Sequence, residues 1–423
     1  MKGLPVKFDQ SPRSLELQEQ LTAFMNEHVY PAEAVYLEEL RAAGDPHLQP
    51  KVMEELKAKA QAAGMWNQFL PDPTWGAGIS NVDYAPLAEI MGRSLIGPEV
   101  FNCSAPDTGN MEVLSLFGSE DQQERWLKPL LSGEIRSAFC MTEPDVATSD
   151  PTNVEFRIDR DGDEYVLNGR KWWITNLFHP HCQVLLVFGR TSEEAESHQR
   201  HSIVLVPFDS PGVTVVRELP VFGYQHQEGH AEVRFDDVRV PVANLIGDEG
   251  QGFAIGQARL GPGRIHHCMR AIGMAERALE LLCDRALGRQ AFGRPIADNA
   301  NIQDWIAESR VQIEMARLLV MKAAWLMDTA GNKDARLEIA AIKVAAPDVA
   351  LRVIDRAIQV FGAAGLADDV PLAAMWAFQR CLRIADGPDE VHKRTLARRE
   401  LRRRRDAATA PLAATGEDTA YRQ

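Results

Sequence analysis

Apolar residues recur every three or four positions in LELQEQLTAFMNEHV (15–29), PKVMEELKAKAQAAG (50–64) and EDQQERWLKPLLSG (120–133), the spacing of one helix face. Ser119 and Gln122 have capping-box spacing, and Gly64, Gly118 and Gly133 fall where helices stop. Residues 1 to about 135 therefore read as helices separated by turns. The period then changes. RSAFCMT, VEFRI, EYVLNG, KWWIT, QVLLVFGR, SIVLVPF, VTVVREL and AEVRFDDV are short runs rich in Val, Ile, Phe and Trp, punctuated by turn pairs such as Asp161-Gly162 and Asn168-Gly169. About eight strands in about 105 residues predict an antiparallel sandwich or barrel. Helical spacing returns after Gly252, in runs too long for loops: 252–290, 303–328 and 337–365.

Helices, then strands, then long helices argue for an α+β chain and against a doubly wound sheet, in which the two would alternate. The expected division is an N-terminal helical domain (1–136), a middle β domain (137–250), a C-terminal four-helix bundle (251–405) and a mobile tail (406–423). The run MARLLVMKAAWLM is apolar enough to need cover on most sides, which a bundle packed on a second subunit provides.

Composition narrows the class. The chain has 423 residues, 45% apolar and 25% charged, as in ordinary globular proteins. A net charge of −14 argues against a dedicated nucleic-acid binder. The basic block Arg398–Arg405 reads as a solvated final helical turn, where cations suit the helix end. The six cysteines form no C-x-x-C pair, so neither a zinc site nor a redox pair is expected, and reduced thiols fit the cytoplasm. No secretory signal or membrane span is expected, since no run reaches about 18 apolar residues. His179, His181, His226 and His230 read as exposed loop histidines and not as metal ligands, because no carboxylate or cysteine cluster accompanies them.

Five blocks in order carry a resemblance: FCMTEPDVATSD (139–150), NGRKWWITN (168–176), FDDVRVPVANLIGDEGQGF (235–253), RQAFGRPIAD (289–298) and QVFGAAG (359–365). Together they resemble the acyl-CoA dehydrogenase family of flavoproteins over roughly residues 12 to 403. ADGPDEVH (385–392) is closest to the members that in animals are fused to a kinase-like domain, an extension not expected here. The resemblance implies FAD, an acyl-CoA substrate, electron-transfer flavoprotein as acceptor, fatty-acid β-oxidation chemistry and a homotetramer built as a dimer of dimers. It assigns flavin contacts to Phe139, Met141 and Thr142, and a flavin or pantetheine contact to Ser149, in a segment one residue longer than usual. Trp173 resembles the aromatic that packs on the isoalloxazine, with Ile174 and Thr175 beside it. Arg289 and Phe292 resemble residues that hold the FAD pyrophosphate and adenine of a neighbouring subunit; Gln359, Val360 and Gly362 resemble the turn at its adenosine diphosphate. The family's Gln after that arginine is Ala300 here. Arg264 resembles an arginine near acyl-CoA, but the Asp that often precedes it is Gly261.

The family removes an α-proton with a carboxylate while hydride leaves the β-carbon for flavin N5. A ribityl hydroxyl and the base's own N–H stabilise the thioester oxygen. Aligned through Gly387, the base is Asp386, one methylene (about 1.5 Å) shorter than the usual Glu. Its pKa is expected to rise through burial. Gly263 stands where other family members carry the base, and it cannot serve. Gly387 lets the thioester approach the backbone. Pro388 suits a first helical turn, where Asp389 and Glu390 add favourable charge. A flavin contact by Pro388 or Glu390 is the other assignment. Ala385 in place of an aromatic leaves room for a bulky, branched or oxygenated acyl group. Two rival functions share the fold: a flavin oxidase of the nitroalkane-oxidase type, which also uses Asp, and a non-catalytic DNA-binding flavoprotein resting on Arg398–Arg405.

Overall fold

Ser11 accepts the Ser14 N–H at 3.1 Å and starts helix α1 (Pro12–Phe24). The computed structural model describes residues 7–224 and 229–409. After α1 the first part holds α2 (Tyr30–Ala43), α3 (Lys51–Ala62), α4 (Asn81–Gly92), α5 (Gly97–Val100), α6 (Asp107–Phe117), α7 (Glu120–Gln122) and α8 (Lys128–Ser132). Both halves of the expected capping box form at Ser119 and Gln122. Gly133 ends α8 in a left-handed conformation (φ +80°), which its missing side chain permits. Of the helices that periodicity overlooked, α4 and α6 are buried almost all round, so they carry no polar stripe to mark them.

The middle part is one seven-stranded sheet: β1 (Arg136–Cys140), β2 (Arg157–Asp161), β3 (Glu164–Thr175), β4 (Cys182–Arg190), β5 (His201–Pro207), β6 (Val213–Glu218) and β7 (His230–Pro241). Two expectations change. EYVLNG and KWWIT are one strand, β3, bent at register shifts near Leu167/Gly169 and Lys171/Ile174. The sheet is also not wholly antiparallel, because β1 runs parallel to β4. β1 enters from the helical part, and the β2–β3 hairpin intervenes before β4, which supplies the long connection that parallel neighbours need.

The last part holds α9 (Gly252–Gly288), a small hairpin of β8 (Gln290–Ala291) and β9 (Arg294–Pro295), α10 (Ala300–Phe361), α11 (Leu372–Leu382) and α12 (Asp389–Thr409). The two predicted runs 303–328 and 337–365 form α10, which breaks at Gly331 (φ +78°, ψ 172°). α12 continues past Arg405 to Thr409, so the expected tail begins inside a helix; its remainder lies outside the described residues. No helix among the described residues is long and apolar enough to cross a membrane.

A buried ionic network joins the first helices to the sheet. Arg136 on β1 pairs with Glu99 at 2.8 Å and Asp107 at 3.0 Å, and Lys57 reaches Glu99 at 2.8 Å. Asp107 also accepts the Ser137 N–H and hydroxyl at 2.7 Å and the Asn176 amide at 2.9 Å. His179 is buried beside Glu99 at 3.8 Å; it is not an exposed loop residue, because the network draws it inward. Burial raises the Glu99 pKa, but Arg136, Lys57 and His179 outweigh it and hold the carboxyl well below its ordinary 4.5. Its stabilisation is therefore present above pH 4.5 and is lost as pH falls further. Asp107→Ala removes one of the two carboxylates on buried Arg136 and the shared acceptor of Ser137 and Asn176, and should cost about 3–5 kcal/mol in urea unfolding, the cost of breaking a buried pair. A loss under about 1 kcal/mol would remove the network from the account of how the parts are joined.

Candidate active site

Between α11 and α12 the chain makes a tight turn closed by Arg383. Its carbonyl accepts the Asp389 N–H at 3.1 Å, and its guanidinium meets the buried Asp389 carboxylate at 2.6 and 2.8 Å. Inside the turn Asp386 (φ +55°) and Gly387 (φ +102°) are both left-handed. That backbone costs a side-chain-bearing residue about 1 kcal/mol and marks a position set by more than local preference. It directs the Asp386 carboxylate toward α9, leaving the side chain 23% exposed. Pro388 is half-buried, while Glu390 and Ala385 are exposed.

α9 and α10 surround this carboxylate with cations. Arg264 donates from Nε to the Asp386 carbonyl at 2.9 Å, so it holds the turn itself. Lys343 is fully buried, and its ammonium donates to the Leu382 carbonyl at the end of α11. Arg259 lies 4.1 Å over the Phe139 ring and donates to Asn110 Oδ1 at 3.0 Å, which ties α9 to both β1 and α6. His267 places Nε2 3.6 Å from Asp386 Oδ2. Burial raises the Asp386 pKa, yet the charge of His267, Arg259, Arg264 and Lys343 outweighs it and holds the carboxyl below its ordinary 3.8. The expected rise is thus reversed, because these cations come from helices distant in sequence. Burial and then Arg270 push His267 down to about 3, so its imidazole is neutral at neutral pH and the lasting charges belong to Arg259, Arg264 and Lys343.

The same face of α9 carries open backbone. Gly256 and Gly263, seven residues apart, would meet no atom within 4 Å if given a side chain. A chain-like ligand can therefore lie against α9 beside Asp386. On the sheet side, the β3 bulge turns Trp173 outward at φ +54° and 43% exposure, while Ile174 is buried. The Trp172 N–H donates to the Thr142 carbonyl at 2.9 Å, and Thr175 Oγ1 lies 3.0 Å from His230 Nδ1. Phe139, Met141 and Thr142 are half-buried on this side, and Ser149 is exposed in the loop beyond.

Not all the predicted residues converge. Arg289 stands 25 positions beyond Arg264, about 38 Å along α9 at the helical rise. It is exposed, and Phe292 at the β8–β9 tip is wholly exposed at φ +53°. Gln359 and Gly362 are exposed, and Val360 is buried, at that same far end, where Arg285 lies 5.2 Å over Phe361. Sequence reasoning missed Arg259, His267, Arg270 and Lys343. Their only signal is a cation or histidine on the apolar face of a long helix. No metal-binding cluster occurs among the described residues, and His226 lies outside them. Arg403 of the basic block pairs with Glu400 at 2.8 Å.

Comparison with known proteins agrees with this layout. The N-terminal, middle and C-terminal domain models of acyl-CoA dehydrogenase match residues 11–134, 138–238 and 250–401. FadE2 of Mycobacterium tuberculosis is 55% identical over 96% of this chain and 99% of its own length. Acyl-CoA dehydrogenase family member 11 of Gallus gallus is 52% identical over 93% of this chain, which spans only 51% of that protein. A solved structure from Mycobacterium abscessus is 52% identical with a TM-score of 0.91, covering 94% of this chain and all of that one. The structure of PigA with FAD and proline is 25% identical with a TM-score of 0.81, covering 94% of this chain and all of PigA. With all three domain models in register and a relative 55% identical along nearly its full length, the chain belongs to the acyl-CoA dehydrogenase family of oxidoreductases.

Proposed function

We propose that this protein is an FAD-dependent acyl-CoA dehydrogenase that removes the α-proton of an acyl-CoA thioester through Asp386 and yields the trans-2-enoyl-CoA. The observation that carries it is the ionised Asp386, presented by a left-handed turn toward the open face of α9. FAD, when bound, accepts the hydride that leaves the β-carbon. The outward Trp173 and the adjacent Thr142 loop suit a planar ring with polar edges, and Phe139, Met141 and Thr175 line the same side. The Asp386 N–H makes no backbone hydrogen bond among the described residues, so it is free to donate to the thioester oxygen as negative charge develops there. A side chain at Gly387 would come within 3.0 Å of His392 Nε2, so the glycine lets the turn pack against α12. Electron-transfer flavoprotein is the acceptor in this reading.

The far-end residues fit the same scheme across a subunit boundary. Arg289, the exposed Phe292, Gln359 and Gly362 offer a cation, an aromatic face and open backbone. At about 38 Å along α9 they serve a neighbouring subunit's cofactor, which makes a homotetramer the working unit. The division at residues 136 and 250 then separates the helical and sheet walls of one site.

The acyl group carries oxygen in this reading. Glu112 Oε2, within the field of Arg259, and both ring nitrogens of His266, within that of Arg270, are buried without a hydrogen-bond partner among the described residues. Burial pushes the Glu112 pKa up to about 8, so at neutral pH it can donate as an acid. Unpartnered buried polar atoms cost about 1–3 kcal/mol each, which a hydroxyl or carbonyl on the ligand would recover.

Three outcomes follow. Asp386→Asn keeps FAD and binds the enoyl product, but anaerobic flavin bleaching by acyl-CoA slows by about a hundredfold to ten-thousandfold; near-normal bleaching would move the base elsewhere. Hydroxyacyl-CoA esters substituted at carbon 3 or 4 exceed the matching plain esters in kcat/KM by at least about a hundredfold, because unmet polar groups reject the apolar analogue; equal values would refute the oxygenated substrate. Mixed oligomers of Asp386→Asn and Arg289→Ala subunits recover activity that neither variant has alone, and no recovery would place the far-end residues outside a shared site.

A further inference from the structure

His267 is neutral, yet it is the group nearest the Asp386 carboxylate from α9, and its tautomer can be assigned. Arg270 Nη2 lies 3.1 Å from His267 Nδ1. A guanidinium has only donors, so Nδ1 must present its lone pair, and the ring proton must sit on Nε2. Nε2 is the atom that faces Asp386 Oδ2 at 3.6 Å. Arg270 is fixed in turn: it is buried, and Nη1 donates to the Cys103 carbonyl at 2.8 Å. Arg270 therefore donates both to the Cys103 carbonyl of the first helical part and to His267, whose own N–H faces the base.

We infer that His267 is a positioning residue: it donates from Nε2 to the Asp386 carboxylate as the site fills with ligand, and so holds the short base in line with the α-carbon. The inference rests on Asp386 being the base. The 3.6 Å separation lies just beyond hydrogen-bond range, and catalytic contacts of this kind tighten in the reacting complex. A neutral donor suits this place. An imidazolium would form a tight ion pair with the carboxylate and weaken it as a base, and burial, followed by the arginine at Nδ1, opposes that charge. The donor also limits the carboxylate's rotation, which matters more for aspartate because its short side chain has less reach.

The first test uses the wild-type holoprotein and no substrate. With histidine labelled by nitrogen-15, NMR should show His267 as a neutral ring protonated on Nε2 throughout the pH range in which the fold persists. A ring protonated on Nδ1, or one that becomes cationic near neutrality, would overturn the inference whatever the substrate. The second test follows flavin bleaching by the best acyl-CoA ester. His267→Leu should lower kcat by about a hundredfold at little change in KM, the loss expected from misplacing a reacting group by about 1 Å. The fall of kcat/KM at acid pH should begin at higher pH than in the wild type. His267→Gln keeps an N–H donor and should regain at least about tenfold of the loss, since a positioned proton-transfer group is worth at least that much. Equal losses in the two variants with an unshifted pH profile would show that the ring only fills space. If Asp386→Asn itself were fully active, the failure would lie with the base and not with His267.

Discussion

A carboxylate that works as a base inside a protein must stay ionised in surroundings that favour its neutral form. For Asp386, the base we propose, that requirement is met by charge from elsewhere in the fold. Arg259 and Arg264 come from α9 and Lys343 from α10, and none of the three hydrogen-bonds the carboxylate oxygens. Each instead anchors to an uncharged partner, namely Asn110, the Asp386 carbonyl or the Leu382 carbonyl. The field is supplied without blocking the oxygens that must receive a proton. The packing of α9 against α10, and of both against the turn after α11, is thereby tied to reactivity.

The order of helices and strands was legible because each part has its own hydrophobic period. What stayed hidden depends on contacts between segments far apart in sequence. α4 and α6 are enclosed by neighbours and show no polar stripe. The parallel pairing of β1 with β4 depends on where the chain re-enters the sheet, which no local pattern records. At the candidate site, Asp386, Thr142 and Trp173 were singled out through motif likeness. The sign of the Asp386 shift was not, because Arg259 and Lys343 stand 127 and 43 positions away on other helices. His267 was not singled out, since a histidine in an apolar helix reads the same whether it fills space or faces a carboxylate.

Trp173 and Phe292, like Phe222, are exposed aromatic residues with left-handed backbones. Water gives neither residue a reason to adopt that conformation, and bulk makes it costly. One sits at a strand bulge and the other at a hairpin tip, the two devices by which a sheet re-aims a side chain.

The left-handed turn at Asp386 also bears on how such an enzyme could diverge. Aspartate visits this backbone region several times more readily than most residues, because its short side chain can bond locally. Lengthening it to glutamate would therefore alter two things together, the reach of the acid and the comfort of the main chain beneath it. A lineage moving between the two acids would have to remodel the loop from Arg383 to Asp389 in the same step, so the identity of the acid and the shape of its hairpin bend should be inherited as a unit.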